Sequence, residues 1–251
     1  MIQNILLGIR AYGGVLPLIS KLKLWKYFVV PILISGLTAT IIGFLAYALS
    51  DSIGQYLAQI WLWDWGKEVV LAITSVVGGM FVLWIGFVLY KYIVLALSAP
   101  FMGAVSEKIE IHINGNSTGK YQETSFQSQL WRGVRLNGRN LLKETLFTVP
   151  VLLLSFIPVI NIFSTLLLFL MQGYYAGFGN IDYTLERHLE YKESINFVRK
   201  HKGIAVGNGI VFMLCLLIPV VGVIIVLPLS VTAASVRAVE LLNTENERSV
   251  L

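Results

Sequence analysis

Apolar residues run along this chain in two kinds of stretch. Tyr27–Leu49 carries no charge over 23 residues, and Val69–Leu97 is longer still, with Tyr90, Lys91 and Tyr92 near its end. A helix that crosses the hydrocarbon layer needs about 20 apolar residues at about 1.5 Å each. Both stretches therefore predict full transmembrane helices, at 27–49 and 69–97. Leu146–Phe178 and Ile204–Val236 are built differently. Each holds an apolar arm, a proline break (Ile157-Pro158-Val159-Ile160 and Ile218-Pro219-Val220-Val221) and a second apolar arm. Most of these arms fall short of a full span and each whole stretch overshoots one. The pattern predicts two re-entrant helical hairpins, at 146–178 and 204–236. Irregular backbone at membrane depth persists only when buried in protein or lining a wet cavity, and paired interrupted segments point to a solute path.

The segments between are polar or amphipathic. In residues 1–26, Ile2, Ile5, Leu6 and Ile9 repeat at helical spacing and Arg10, Lys21, Lys23 and Lys26 supply charge, which predicts an interfacial helix interrupted at Gly13-Gly14 and Pro17. The first 20 residues lack a basic leading region and a small-residue cleavage site, so no signal peptide is expected. Trp61, Trp63 and Trp65 beside Asp51, Asp64 and Glu68 place 50–68 at the headgroup level. The Gly78-Gly79 pair would let another helix approach closely. Residues 98–145 read as a cytoplasmic helical region, with Arg132, Arg135, Arg139 and Lys143 on one stripe of a helix. A charged connector, 180–203, separates the hairpins, and 237–251 is a polar tail.

Composition sharpens the class. Of 251 residues 56% are hydrophobic and 13% charged, against about 25% charged in soluble domains. With no strand-like alternation, the chain reads as a single all-α integral membrane domain over 1–251. A net charge of +5 would suggest nucleic acid in a soluble protein; here it reflects the gathering of Lys and Arg at the cytoplasmic face, and no nucleic-acid partner is expected. That bias also favours the hairpins. If 146–178 returns to its own side, 18 of the 19 basic residues share one side with both termini, and only Lys67 lies opposite. Cys215, the lone cysteine, excludes an internal disulfide, and the three scattered histidines offer no paired metal spacing. Gly115–Lys120 is one residue short of a phosphate-binding loop. No ATP motif, cofactor motif or nucleophile with its base is present, so no enzyme is expected, and flux would be passive or coupled to an ion. The scarcity of acidic residues inside apolar spans favours a channel-like route.

An ordered set of residues resembles a known family: Leu97-Ser98-Ala99-Pro100-Phe101, an acidic helix with Glu107, Ile157-Pro158-Val159, Asp182-Tyr183, then Gly207-Asn208-Gly209, Ile218-Pro219-Val220, Pro228 and Ala233-Ala234. Together they resemble the CysZ-type bacterial sulfate permeases and their wider superfamily. The resemblance implies an inner-membrane protein with two full spans and two pairs of partly penetrating helices. It also implies a homo-oligomer that takes up sulfate for cysteine biosynthesis. In that family a Gly-Leu-Arg segment, often with a second Arg, binds sulfate ahead of the first span. The matching stretch here is Lys23-Leu24-Trp25-Lys26, which the resemblance makes the anion-binding segment. Charge is kept, but the glycine and the planar guanidinium are not; Lys holds an oxyanion as a point charge, without the bidentate fork of Arg.

The residues themselves leave some roles open. Lys23 and Lys26 suit either an anion or the headgroups that usually anchor such lysines. Arg135 and Arg139 could feed anions to a vestibule or lie on the membrane surface. Asn161 and Asn208, polar groups in apolar surroundings, are candidates to line a pathway, or to cap helices and bond between them. Glu107 and Glu110 flank Lys108 and fit either a solvated face or ion pairs with another helix. The expected partners are sulfate or a related anion, membrane lipids and further copies of the chain. A structural scaffold without transport, or a transporter of another solute, is the rival reading.

Overall fold

The computed structural model describes residues 1–62, 65–115, 124–218 and 221–250. Trp63, Asp64, most of the Gly115–Lys120 loop, and Pro219 and Val220 of the second proline break lie outside the described residues. The elements in chain order are α1 (Ile2–Arg10), a 3-10 turn (Ala11–Gly14), α2 (Val15–Lys21), a second 3-10 turn (Leu24–Phe28), α3 (Val29–Ala58), α4 (Lys67–Leu97), α5 (Ala99–Asn114), α6 (Phe126–Leu154), α7 (Pro158–Leu185), α8 (Tyr191–Lys200), α9 (Lys202–Leu216) and α10 (Val221–Val250). Among the described residues every regular element is helical.

Local chemistry sets the helix ends. The break predicted at Gly13-Gly14 falls in the 3-10 turn between α1 and α2. Ser125 caps α6 by accepting from the Ser128 amide at 3.2 Å. Pro158 opens α7, where its missing N–H costs nothing. Glu190 and Glu193 form a reciprocal capping box at the start of α8.

Residues 33–94 form one compact unit. Its two helical stretches, from α3 and α4, meet through small residues. A Cβ on Gly78 would lie 2.9 Å from the Ile53 side chain and 3.0 Å from the Ser50 carbonyl oxygen, as the Gly78-Gly79 pair suggested. Gly54 faces Ser75, and Gly86 faces Ile42, in the same way. Apolar side chains on the outer faces, among them Leu33, Phe44, Met80 and Phe87, are exposed, as expected of helices sheathed in lipid. Trp61 donates to the Trp65 carbonyl at 3.1 Å in the turn that joins the helices.

Residues 1–32 and 95–251 form the other unit. Here α9 is the central strut, packed on α7 along one face and on α1 along another. Gly207 meets Gly8 and Ile5, and Gly203 meets Asn4; on the other face Ala205 meets Gly177, and Gly209 meets Gly173. These are backbone-on-backbone contacts of the small-residue kind that joins helices in membranes. Two apolar clusters flank them, one around Ile19, Met102, Ile109 and Val231, the other around Phe178, Leu185, Val198 and Ala205.

The helices are longer than the sequence divisions implied. The boundary at 145/146 falls inside α6, the one at 178/180 inside α7, and the one at 236/237 inside α10. The polar tail continues α10, tied by Glu245 to Lys200 at 2.6 Å and to His201 at 3.0 Å. Helical periodicity simply persists where the side chains turn polar, because those side chains pack against protein. By length and apolarity five segments could cross a membrane: Ile2–Lys21, Leu24–Ala58, Lys67–Leu97, Ile160–Leu185 and Ile225–Glu247.

Candidate functional site

The segment Lys23–Lys26 is a charged turn with a fixed shape. Lys23 adopts φ 53° and ψ 43°, the only positive φ at a non-glycine among the described residues. It stands just past the end of α2, where its amide donates to the Ser20 carbonyl at 3.2 Å. That left-handed position after a helix is usually glycine, and a side chain there costs about 1 kcal/mol. Leu24 and Phe28 are buried and pin the turn, while Trp25 is half exposed, bonded through Nε1 to Ser20 Oγ at 3.3 Å. Lys26 Nζ lies 5.2 Å from the centre of the Tyr27 ring, and Lys108 of α5 approaches the same ring to 5.7 Å. Lys21 Nζ stands 3.5 Å from His112 Nε2. Among the described residues, Lys21, Lys23, Lys26 and Lys108 form no ion pair with a carboxylate. Lys108 and His112 were not legible as members of this group, since nothing local shows that α5 runs beside the turn.

The same unit holds a buried ionic core. Arg187, at the end of α7, donates to Glu110 Oε2 at 2.9 Å, Ser106 Oγ at 2.8 Å, and the carbonyls of Tyr183 and Gly103 at 3.0 and 3.2 Å. His188 Nε2 stands 2.5 Å from Glu110 Oε1. Arg132 of α6 clasps Asp182 with Nε and Nη2 at 3.0 and 2.9 Å and donates to the Leu189 carbonyl at 2.8 Å. Ser194 Oγ also donates to Asp182. Of the two readings of Glu110, the ion pair holds: it is buried, whereas Glu107 is exposed. Burial opposes ionisation of Glu110, but hydrogen bonds from His188 and Arg187 overcome it and hold the carboxyl below its ordinary range.

Glu186 is the exception in this core. It is buried, its Oε1 above Gly103 finds no hydrogen-bond partner, and both neighbouring arginines are committed elsewhere. Burial, then the nearby Asp182 charge, pushes its pKa up to about 8, against the weaker pull of Arg187 and Arg132. The raised value means that the folded protein favours the protonated form. The stabilisation is complete below pH 4.5, the ordinary value, and is lost as pH rises through about 8. Glu186→Gln, which cannot ionise, is expected to match the parent's melting temperature at pH 5 and exceed it by several degrees at pH 9. Parallel pH series of thermal melts in detergent check this; a constant difference across the range would refute it.

The other sequence candidates fall in different places. Asn208 is buried at an interhelical junction: its Nδ2 donates to the Ser230 carbonyl and its Oδ1 accepts from Asn180, both at 2.9 Å. Tyr12 OH bonds the Asn208 carbonyl oxygen at 2.9 Å and Ser230 Oγ at 2.7 Å. Asn161 is exposed and its Oδ1 accepts from Thr165 Oγ1 at 3.1 Å within its own helix. Arg135 lies 4.1 Å over the Tyr191 ring, and Arg139 lies 5.2 Å over Phe178. The structure therefore does not gather the eight candidates into one site. The four of the turn stand together, Arg135 and Arg139 share one stripe of α6, and the two asparagines are apart.

All-helical among its described residues, with several helices apolar and long enough to cross a membrane, the chain has the make-up of a helical membrane protein. The particular family follows from comparison with known proteins. The family model described as "Sulfate transporter CysZ/Etoposide-induced protein 2.4" matches residues 11–226, and the chain belongs to that family. A protein of Pseudomonas aeruginosa named "Sulfate transporter CysZ" is 28% identical over 249 residues, which cover 97% of this chain and 98% of that one. Another of that name, from Pseudomonas paraeruginosa, is 28% identical over 233 residues, 91% of this chain and 92% of its own. One from Pseudomonas fluorescens is 30% identical over 165 residues, covering 63% and 65%.

Proposed function

We propose that this protein carries sulfate, or a closely related oxyanion, across a bacterial inner membrane, and that the anion is first held at the Lys23–Lys26 turn. The observation that carries this reading is that the family match, 11–226, spans a turn whose ammonium groups pair with no carboxylate among the described residues. A divalent anion leaving water needs compensating charge; Lys23 and Lys26 supply it within a few residues of the first long apolar helix, and Lys108 of α5 approaches the same Tyr27 ring as Lys26. The left-handed backbone at Lys23 supports the match: it is the conformation that the family's glycine would adopt without strain. With no ATP motif in the sequence, flux is passive or coupled to an ion, the scarcity of acidic residues inside apolar spans favours a channel-like route, and its role is supply of sulfate for cysteine biosynthesis.

In this reading α3 and α4 span the membrane fully, while the α6–α7 and α9–α10 pairs enter and return, with both termini in the cytoplasm. Exposed apolar side chains support partial penetration by the first pair. The fully exposed ones run along α6 from Leu142 to Leu154 and along α7 from Ile160 to Leu167; α7 is then half-buried to Gln172 and mostly buried from Gly173 onward. At about 1.5 Å per residue these arms reach under 20 Å, against about 30 Å for a full crossing. Such short arms do not enclose a path alone, so the working unit is a homo-oligomer. A membrane-impermeant thiol reagent is expected to label Lys192→Cys, in a Cys215→Ser background, only in inside-out vesicles. Labelling in right-side-out vesicles alone would overturn the hairpin.

The transport reading is tested by radiolabelled sulfate entry into proteoliposomes. Saturable entry is expected, falling at least ten-fold in Lys23→Ala/Lys26→Ala. Undiminished entry in the variant would move the site away from the turn, and its absence in well-folded parent protein would exclude sulfate.

A further inference from the structure

Four cations of the larger unit form no ion pair with a carboxylate among the described residues. Along α6, Arg132 meets Asp182, but the residues that follow it on the stripe do not. Among the described residues, no carboxylate pairs with Arg135, Arg139, Lys143 or Arg199. Aromatic rings order two of them: Arg135 stacks on Tyr191 of α8, and Arg139 on Phe178 of α7. Arg139 spends one donor on Asn140 Oδ1, at 2.9 Å, which leaves most of its N–H fork unused. From the last turn of α8, Arg199 joins Arg139 within electrostatic range of Tyr174 on α7. Two helices thus bring positive charge to one place beside a half-buried tyrosine of α7.

What lies next to this cluster decides what it fits. One turn further along α6, Leu142 and Leu146 are 72% and 70% exposed, and Phe147 follows. On α7, Leu166 and Leu167 are exposed two turns before Tyr174. The unpaired cations therefore stand on the line where polar surface gives way to an apolar one. A free oxyanion would use only the charge. A phospholipid uses both, its phosphate against the guanidinium groups and its acyl chains along the leucines, and basic pockets between helices at this level are the usual form of such sites.

We propose that Arg139 and Arg199, with Arg135 beside them, hold the phosphate of an anionic phospholipid headgroup whose acyl chains lie along Leu142, Leu146 and Phe147. This rests on the charge and exposure of α6, α7 and α8, and stands independently of the transported solute.

The test uses the full chain in nanodiscs of phosphatidylcholine with a minority of phosphatidylglycerol, extracted gently and weighed by native mass spectrometry. The parent is expected to retain phosphatidylglycerol well above its share of the bilayer, and Arg139→Gln/Arg199→Gln to lose at least ten-fold of that enrichment. Arg199→Glu alone, at an exposed position where folding is not at stake, should show the same direction. Lys192→Gln/Lys202→Gln, which removes equal charge elsewhere, should retain the lipid. Equal loss in that control, or unchanged retention in both arginine variants, would overturn the proposal. So would displacement of the lipid by millimolar inorganic phosphate, which would mark the site as one for free anions.

Discussion

Gly209→Ala is expected to abolish the monodisperse folded protein in detergent, at a cost of about 3 kcal/mol or more. A methyl group there would overlap the Gly173 carbonyl oxygen of α7, with the Gly173 Cα 2.8 Å away. Side chains can rotate out of an overlap, but these are backbone atoms held in helical hydrogen bonds, so the whole of α7 must move. Its movement would pull Gly177 off Ala205 and disturb the ionic core anchored at the end of the same helix. Gly138→Ala, on α6 where nothing lies within 4 Å of the added methyl, should fold as the parent does or slightly better. Size-exclusion profiles and thermal melts of the two variants, prepared side by side, make the comparison. Equal behaviour would mean that α7 and α9 do not touch through their backbones.

Arg187→Met is the second large effect. The substitution conserves much of the volume but leaves Glu110, 1% exposed, with His188 as its remaining hydrogen-bond partner among the described residues. Removing one member of a buried pair typically costs about 3–5 kcal/mol, mostly for the charge left behind. That cause predicts a rescue. Arg187→Met/Glu110→Gln should recover a large part of the loss, because the stranded carboxylate is gone. Denaturant titration of the two single variants and the double variant gives the coupling energy directly. If the double variant is worse than Arg187→Met, the loss comes instead from the Gly103 and Tyr183 carbonyls and the Ser106 hydroxyl that Arg187 also serves.

How much of this was legible in the sequence follows the range of the forces involved. Helix class and the long apolar stretches depend on composition and periodicity, and they were readable. The glycine pair at 78–79 and the interruption at 13–14 were readable too, because local backbone chemistry sets them. Ion pairs were not, since they join residues far apart: Arg187 and Glu110 are separated by 77 positions and Arg132 and Asp182 by 50. Which faces of α5, α6 and α7 meet depends on helix rotation, and no local pattern encodes that. Asp182 stands in the last turn of α7 and Glu186 caps it, and that i, i+4 pair of acids ending an apolar helix was the available signal. Helices run across the divisions drawn at 145/146, 178/180 and 236/237 for a related reason. Polarity marks where lipid contact ends, and a helix continues past that point when protein covers it, as α7 does to Leu185.

The contacts of the turn after α1 carry a consequence in time. Tyr12 bonds to Asn208 and Ser230, across 196 and 218 positions of chain. At synthesis rates of about 5–20 residues per second, the N-terminal segment waits roughly 10–40 s before its partners leave the ribosome. During that interval its apolar face has nothing of its own protein to bind. An amphipathic helix can rest on the membrane surface meanwhile, so the same face serves first as a mooring and later as a seam. Assembly then closes from the chain's last quarter back onto its first residues, and a stall in translation before Asn208 would leave the N-terminus moored and the bundle open.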